Sequence, residues 1–244
     1  MKKRSAVIPA RLESTRLPGK LLLDLGGKSL IQRVFENARD FHLFDEIVIA
    51  TDSQKIKETC EHFGARVLLT RCDHDSGTSR IAEIVGKLNG EIIVNIQGDE
   101  PFLKKQQVSQ LIEDLEMSPS CEIATLVYPS KDSKASRDPH IVKTVRDHLN
   151  RALYFSRYPI PFNRDPKQNI SWLHHLGIYA FRRSFLQKYS DLLPCPLEQN
   201  EKLEQLRFLA NGYDILLVET HEKTIGIDTQ QDYRTAVHYI KKRK

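Results

Sequence analysis

Apolar residues in this chain fall in short runs rich in β-branched types, and each run is followed by a polar loop and then by a stretch of helical periodicity. Residues 5–9 form the first run, with a loop reaching Lys20 and a predicted helix over 29–41. Residues 46–50 precede Thr51-Asp52-Ser53 and a helix ending at Phe63. Residues 65–69 lead to a helix over 78–88, and 91–96 lead through Gln97-Gly98-Asp99-Glu100-Pro101 to one over 105–116. Four strand-loop-helix units in succession predict an α/β fold, with a mainly parallel central sheet and helices on both faces. Right-handed crossovers would then put the C-terminal strand ends on one side, where open α/β sheets bind their ligands.

Beyond Cys121 the pattern loosens. Residues 122–128, 141–146, 172–182 and 213–218 read as strands, 198–209 as a helix, and a closing helix comes after Asp228. The stretch 158–172 holds three prolines and little periodicity, so 152–173 is expected to be an excursion from the core, either a lid or an arm contacting another subunit. Residues 1–244 are read as one domain carrying that insertion.

Composition fits this picture. Of 244 residues, 40% are hydrophobic and 28% charged, which excludes disordered and fibrous classes. Lys and Arg number 37 against 32 Asp and Glu, a net charge of +5. Basic residues gather only at Lys2-Lys3-Arg4 and Lys241-Lys242-Arg243-Lys244, without interleaved aromatics, so no nucleic acid is expected as partner. A small acidic ligand suits the charge better. Cys60, Cys72, Cys121 and Cys195 form no Cys-x-x-Cys pair and are expected as free thiols in a cytoplasmic protein. No run approaches the roughly 20 apolar residues of a membrane helix, and the first apolar stretch is too short for a signal-peptide core. The sequon Asn169-Ile170-Ser171 then has no secretory context.

Two phosphate-binding signatures fail. Gly27-Lys28-Ser29 ends like a Walker A loop, but Leu22 stands where that loop needs glycine, and the dinucleotide fingerprint is absent. The first strand leads instead into Arg11-Leu12-Glu13-Ser14-Thr15-Arg16-Leu17-Pro18-Gly19-Lys20, which sets two arginines, a lysine and two hydroxyls beside the sheet's expected binding edge. Such a loop could neutralise a triphosphate.

That loop resembles the nucleotide loop of the CMP-sugar synthetases. Leu17-Pro18-Gly19-Lys20 is similar to the form found in the branch that activates 3-deoxy-manno-octulosonate, or Kdo. Ordered blocks extend the resemblance along the chain: Ala50-Thr51-Asp52, the run from Thr70 to Arg80, Val94-Asn95-Ile96-Gln97-Gly98-Asp99-Glu100-Pro101, Ala152-Leu153-Tyr154-Phe155-Ser156-Arg157, His175-Leu176-Gly177-Ile178-Tyr179, Leu203-Glu204-Gln205-Leu206-Arg207 and Gly226-Ile227-Asp228-Thr229. The blocks at His175 to Tyr179 and Leu203 to Arg207 favour the Kdo branch over a CMP-sialate synthetase, and a non-catalytic nucleotide sensor would not need two convergent aspartates.

The resemblance implies a Rossmann-like nucleotidyltransferase fold and the reaction of CTP with Kdo to give CMP-Kdo and diphosphate, for bacterial lipopolysaccharide assembly. It further implies a homodimer and magnesium held by Asp99 and Asp228. Arg11, Ser14 and Lys20 would hold the triphosphate; Ser76, Gly77, Thr78 and Arg80 would line the cytidine side; Gln97, Arg157, His175, Tyr179, Glu204 and Gln205 would meet the sugar. Other readings stay open for several of these. Asp75-Ser76-Gly77 suits a turn with a helix cap, Asp228 precedes a helix it could cap, and a lone histidine on a strand is commonly a core residue. If residues 172–182 are a strand, His175, Gly177 and Tyr179 share a face. The chain departs from the family at Gln230-Gln231-Asp232, where a proline commonly opens the last helix.

Overall fold

The computed structural model describes residues 2–13, 17–165, 167–168, 170–223 and 226–242. In chain order the elements are β1 (Arg4–Ala10), α1 (Leu30–Asp40), β2 (Glu46–Thr51), α2 (Gln54–Glu61), β3 (Arg66–Leu69), α3 (Gly77–Ile84), β4 (Ile92–Asn95), α4 (Lys105–Met117), β5 (Ile123–Ser130), β6 (Lys143–Arg146), β7 (Ala152–Ser156), β8 (Trp172–Arg182), α5 (Arg183–Gln187), α6 (Pro196–Glu201), α7 (Gln205–Ala210), β9 (Ile215–Glu219) and α8 (Gln230–Lys241). They divide into two compact units, Met1–Val108 with Thr224–Lys244, and Ser109–Lys223.

In the first unit β1 pairs in parallel with both β2 and β4, and β2 pairs in parallel with β3. The spatial order is therefore β3-β2-β1-β4, and the direction of winding reverses between β1 and β4. At such a reversal the loops after the two neighbouring strands diverge and leave a crevice. Val7, Ile8, Val48, Ile49, Ile93 and Val94 are fully buried, as strands covered on both faces require. The helices start where polar residues can cap them: the side chains of Ser29, Ser53 and Ser76 accept backbone N–H groups at the first turns of α1, α2 and α3. The Walker-like tail is thus a helix start, with Ser29 as the cap and Lys28 paired to Glu36 at 2.5 Å.

The second unit is mixed. β5 runs parallel to β9 but antiparallel to β8, and β6 runs antiparallel to both β7 and β8. The parallel rule read from the first four strand-loop-helix units stops where those units stop, because β7 returns beside β6 through a short loop without an intervening helix. The expected excursion over 152–173 accordingly begins with a sheet strand, β7, in which Phe155 and Ser156 are buried while Leu153 is exposed. The single helix expected over 198–209 is two, because Lys202 takes a left-handed conformation (φ 53°) between α6 and α7. Periodicity carried across the break, but one residue of reversed twist ends a helix.

Aromatic rings hold this unit together. Phe181, Phe185 and Phe208 are fully buried, with ring centroids 5.1 to 6.3 Å apart, and Tyr179 stacks on Phe181 at 5.5 Å. Phe208→Ala would remove the ring that both others meet edge-on. Loss of about 3–5 kcal/mol in denaturant unfolding is expected; a loss under about 1 kcal/mol would contradict this account of the core.

Candidate functional site

The loops that diverge after β1 and β4 line a cleft of about 310 Å³ within the first unit, together with the start of α3 and the residue before Thr229. Each wall has a local cause. After β1, Leu17, Leu21 and Leu25 are buried, so the loop returns to the protein and presents Lys20 at the start of a short 3-10 turn. Gly19 enters that turn at φ 64°, a left-handed conformation costly for other residues. After β4, Ile96 donates its N–H to the Val7 carbonyl, and a turn from Gln97 to Glu100 brings Gly98 and Asp99 to the cleft. A Cβ on Gly98 would lie 3.2 Å from both the Pro9 carbonyl oxygen and Leu21, so no larger residue fits between the two loops without displacing backbone.

Asp99 and Asp228, far apart in sequence, meet here. Lys20 Nζ donates to Asp99 Oδ2 at 2.6 Å, to Asp228 Oδ1 at 2.8 Å and to the Ile227 carbonyl at 3.3 Å. The Ile227 N–H donates to the Asp99 carbonyl at 2.9 Å, tying the two acidic loops together through backbone. Burial pulls the Lys20 ammonium down, but the two carboxylates outweigh it, and its pKa is raised. Capping of α8, an alternative role for Asp228, falls to Thr229, which forms a reciprocal capping box with Asp232. That box also starts the helix without the missing proline.

Arg11, Lys20, Ser76, Gly77, Arg80, Gln97, Asp99 and Asp228 all line the cleft. Thr78 is buried within α3, and Ser14 lies outside the described residues. Ser76 caps α3 as the local pattern allowed, and it lines the cleft as well. Arg80 is 4% exposed and bonds Asp52 at 2.9 Å and the Thr70 hydroxyl, fastening the ends of β2 and β3 to α3. Arg11 is exposed.

Sequence reading missed several residues here. His74 lines the cleft and bonds Glu83 on α3, which also accepts the Arg71 N–H. Its position within the Thr70 to Arg80 block was the available signal; Glu83 had none. Glu100 lies behind Asp99, with burial first and then the charges of Asp99 and Asp228 pushing its carboxyl up to about 8. One Glu100 oxygen has no hydrogen-bond partner among the described residues. Nothing local in Asp99-Glu100-Pro101 says which acid lines the cleft and which does not.

Oxygen donors from Asp99 and Asp228 suit a hard divalent cation. Magnesium binds through one or two carboxylates and fills the rest of its octahedron with phosphate oxygens and water. The two side chains are 25% and 44% exposed, which leaves them reachable from the cleft.

The remaining expected positions belong to the second unit. All three guanidinium nitrogens of Arg157 donate to backbone carbonyls, those of Glu201, Pro139 and Lys202. His175 is buried between Phe155 and Tyr179, and its Nε2 lies 3.0 Å from the Thr125 hydroxyl. The expected common face is corrected in one respect. The pairing register of β5 and β8 shifts between Thr125 and Leu126, and Gly177 sits exposed there while His175 and Tyr179 turn inward. Burial raises the Tyr179 hydroxyl pKa, with the Glu204 charge adding to it. Glu204 accepts the Tyr189 hydroxyl at 2.6 Å. The buried Gln205 amide nitrogen has no partner among the described residues, a donor still in want of an acceptor.

Comparison with known proteins places the chain among relatives. The sequence profile of the cytidylyltransferase family matches residues 5–221. A 3-deoxy-manno-octulosonate cytidylyltransferase of Solibacter usitatus is 45% identical over 226 residues, spanning 93% of this chain and 90% of that protein, and one of Francisella tularensis subsp. novicida is 48% identical over 235 residues, spanning 93% and 94%. A solved CMP:2-keto-3-deoxy-manno-octonic acid synthetase complexed with CTP superposes with a TM-score of 0.93 at 39% identity, over 99% of this chain and 100% of that one. A 4-diphosphocytidyl-2C-methyl-D-erythritol synthase of Anaerococcus prevotii, at 16% identity and a TM-score of 0.62, shares the fold alone.

Burial of His175 sets a pH dependence. Its ordinary value is 6.5; burial, and then the neighbouring His174, push it down to about 3. The unfolded chain therefore takes up this proton first, so the contribution is fully present above pH 6.5 and is lost as pH falls toward 3. The slope is at most about 1.4 kcal/mol per pH unit. Urea unfolding of wild type and His175→Gln at pH 7 and pH 5 should show a smaller loss in the variant; equal losses would remove this assignment.

Proposed function

The chain belongs to the cytidylyltransferase family, and we propose that it joins CTP to Kdo, giving CMP-Kdo and diphosphate. The observation that carries this reading is the meeting of Lys20, Asp99 and Asp228 in a cleft at the winding reversal. Relatives that carry the Kdo name over nine-tenths of the chain support the choice of sugar.

In the proposed reaction the anomeric hydroxyl oxygen of Kdo bonds to the α-phosphorus of CTP. The bond from that phosphorus to the α,β-bridging oxygen breaks, diphosphate leaves with the electron pair, and the hydroxyl proton passes to solvent. Side chains have alignment and charge to supply. Arg11 and Lys20 oppose the triphosphate with charge-assisted hydrogen bonds, and Ser14 is assigned a supporting donor. Ser76 and Gly77, at the start of α3, with Thr78 and Arg80 behind them, shape the nucleoside side. A Cβ on Gly77 would come 3.0 Å from Pro9, so that wall keeps glycine's close approach.

Asp99 and Asp228 would hold magnesium, which when bound polarises the α-phosphate and eases ionisation of the attacking hydroxyl. On the sugar side we assign Gln97, Arg157, His175, Tyr179, Glu204 and Gln205. The unpartnered Gln205 amide supports direct contact, whereas the bonds of Arg157 and His175 suit a role in holding neighbours in place.

We further propose a cytoplasmic homodimer that feeds outer-membrane glycolipid assembly. Among the described residues no helix is long and apolar enough to cross a membrane. Leu153, Tyr158 and Phe162, within the excursion over 152–173, are 61%, 75% and 84% exposed, and this supports its reading as an arm toward a second copy. Light scattering should give twice the 28.2 kDa chain mass; a monomer mass would remove the dimer.

The reaction is tested by incubating the protein with CTP, magnesium and Kdo and measuring diphosphate. Release no greater than in a no-sugar control would overturn the reading. Asp99→Asn and Asp228→Asn keep the side-chain shape and remove charge, so turnover should fall at least about a hundredfold with little change in thermal midpoint. Unchanged turnover at saturating magnesium would refute the metal assignment.

A further inference from the structure

We propose that Lys20 is a placeholder for the divalent cation: without nucleotide its ammonium holds Asp99 and Asp228 together, and the triphosphate must draw it out before the ion can take both carboxylates. This rests on the function proposed above and adds an order to it. The cation enters with the nucleotide and not ahead of it.

The geometry is specific. An ammonium has three N–H donors, and Lys20 Nζ has three acceptors, Asp99 Oδ2, Asp228 Oδ1 and the Ile227 carbonyl. Its side chain is 13% exposed while those of Asp99 and Asp228 are 25% and 44% exposed, so the lysine is the least exposed of the three. Magnesium would need carboxylate oxygens at about 2.0–2.1 Å. A positive nitrogen at 2.6 Å and 2.8 Å from oxygens of the same two carboxylates competes for them by charge and by space.

The lysine is also built to leave. Its backbone is fixed on the 3-10 turn beside buried Leu21, but a flexible four-carbon stem carries the charge. The cleft that Lys20 lines with Arg11 is where a triphosphate would offer it new oxygens. Removal of the positive charge should therefore open the acidic pair to a cation in the absence of nucleotide.

The test is a nucleotide-free titration with Mn²⁺, followed by the loss of its free electron paramagnetic resonance signal. Lys20→Met should bind at least about tenfold tighter than wild type, and its thermal midpoint should rise further with Mn²⁺. Lys20→Gln should behave alike and serves if Lys20→Met does not fold. Lys20→Arg, which keeps the charge, should stay near wild type, and adding Asp99→Asn to Lys20→Met should abolish the gain. Neutral variants that bind no tighter than wild type, or a gain that survives Asp99→Asn, would overturn the proposal. If wild type still forms diphosphate with magnesium and Kdo in that case, only the placeholder falls. If diphosphate release is indifferent to magnesium and to Asp99→Asn, the metal reading falls and takes the placeholder with it.

Discussion

Two carboxylates and one ammonium, from positions 20, 99 and 228, form the contact on which the first unit's cleft depends. Two acids brought this close repel one another unless a cation lies between them. Lys20 supplies that cation from within the chain, and the backbone bond from Ile227 to Asp99 holds the loops in register. Glu100 behind them is a third acid, and burial together with the charges of Asp99 and Asp228 pushes its carboxyl up to about 8. Lys20 is paired with two carboxylates at once, at 2.6 Å and 2.8 Å.

Strand order explains why the contact can form. β1 has β2 on one side and β4 on the other, so the loop that carries Lys20 and the loop that carries Asp99 leave neighbouring strands and turn apart. Small residues let the walls approach: Gly98 fits against Pro9 and Leu21, and Gly77 fits against Pro9 and Asn95. The capping box of Thr229 and Asp232 starts α8 just after Asp228 and leaves the Asp228 carboxylate for Lys20. Polar groups common at helix starts thus settle where the acid points.

The second unit obeys a different logic. Its polar residues hold irregular backbone: Lys143, fully buried, donates to the carbonyls of Asp138, Ile141 and Arg157, and Arg157 in turn donates to those of Pro139, Glu201 and Lys202. Charged groups can be buried there because their donors face carbonyls. Within this frame His175 is a neutral ring among aromatics, and Gln205 keeps an unused donor.

Much of this was legible from residue order alone. Alternation of β-branched runs with helical periodicity determined β1 to β4 and α1 to α4, because each unit's pattern is local and repeats. Ordered motif blocks likewise determined the family and pointed to Arg11, Lys20, Asp99 and Asp228. Tertiary structure alone decided the rest. The helix break at Lys202, the antiparallel course of β7 and β8 and the register shift that exposes Gly177 arise from backbone twist and strand pairing, which side-chain periodicity does not encode. Which of Asp99 and Glu100 lines the cleft, and that Lys20 fills the space between two distant acids, depend on burial and on charges that come together only after the chain has folded.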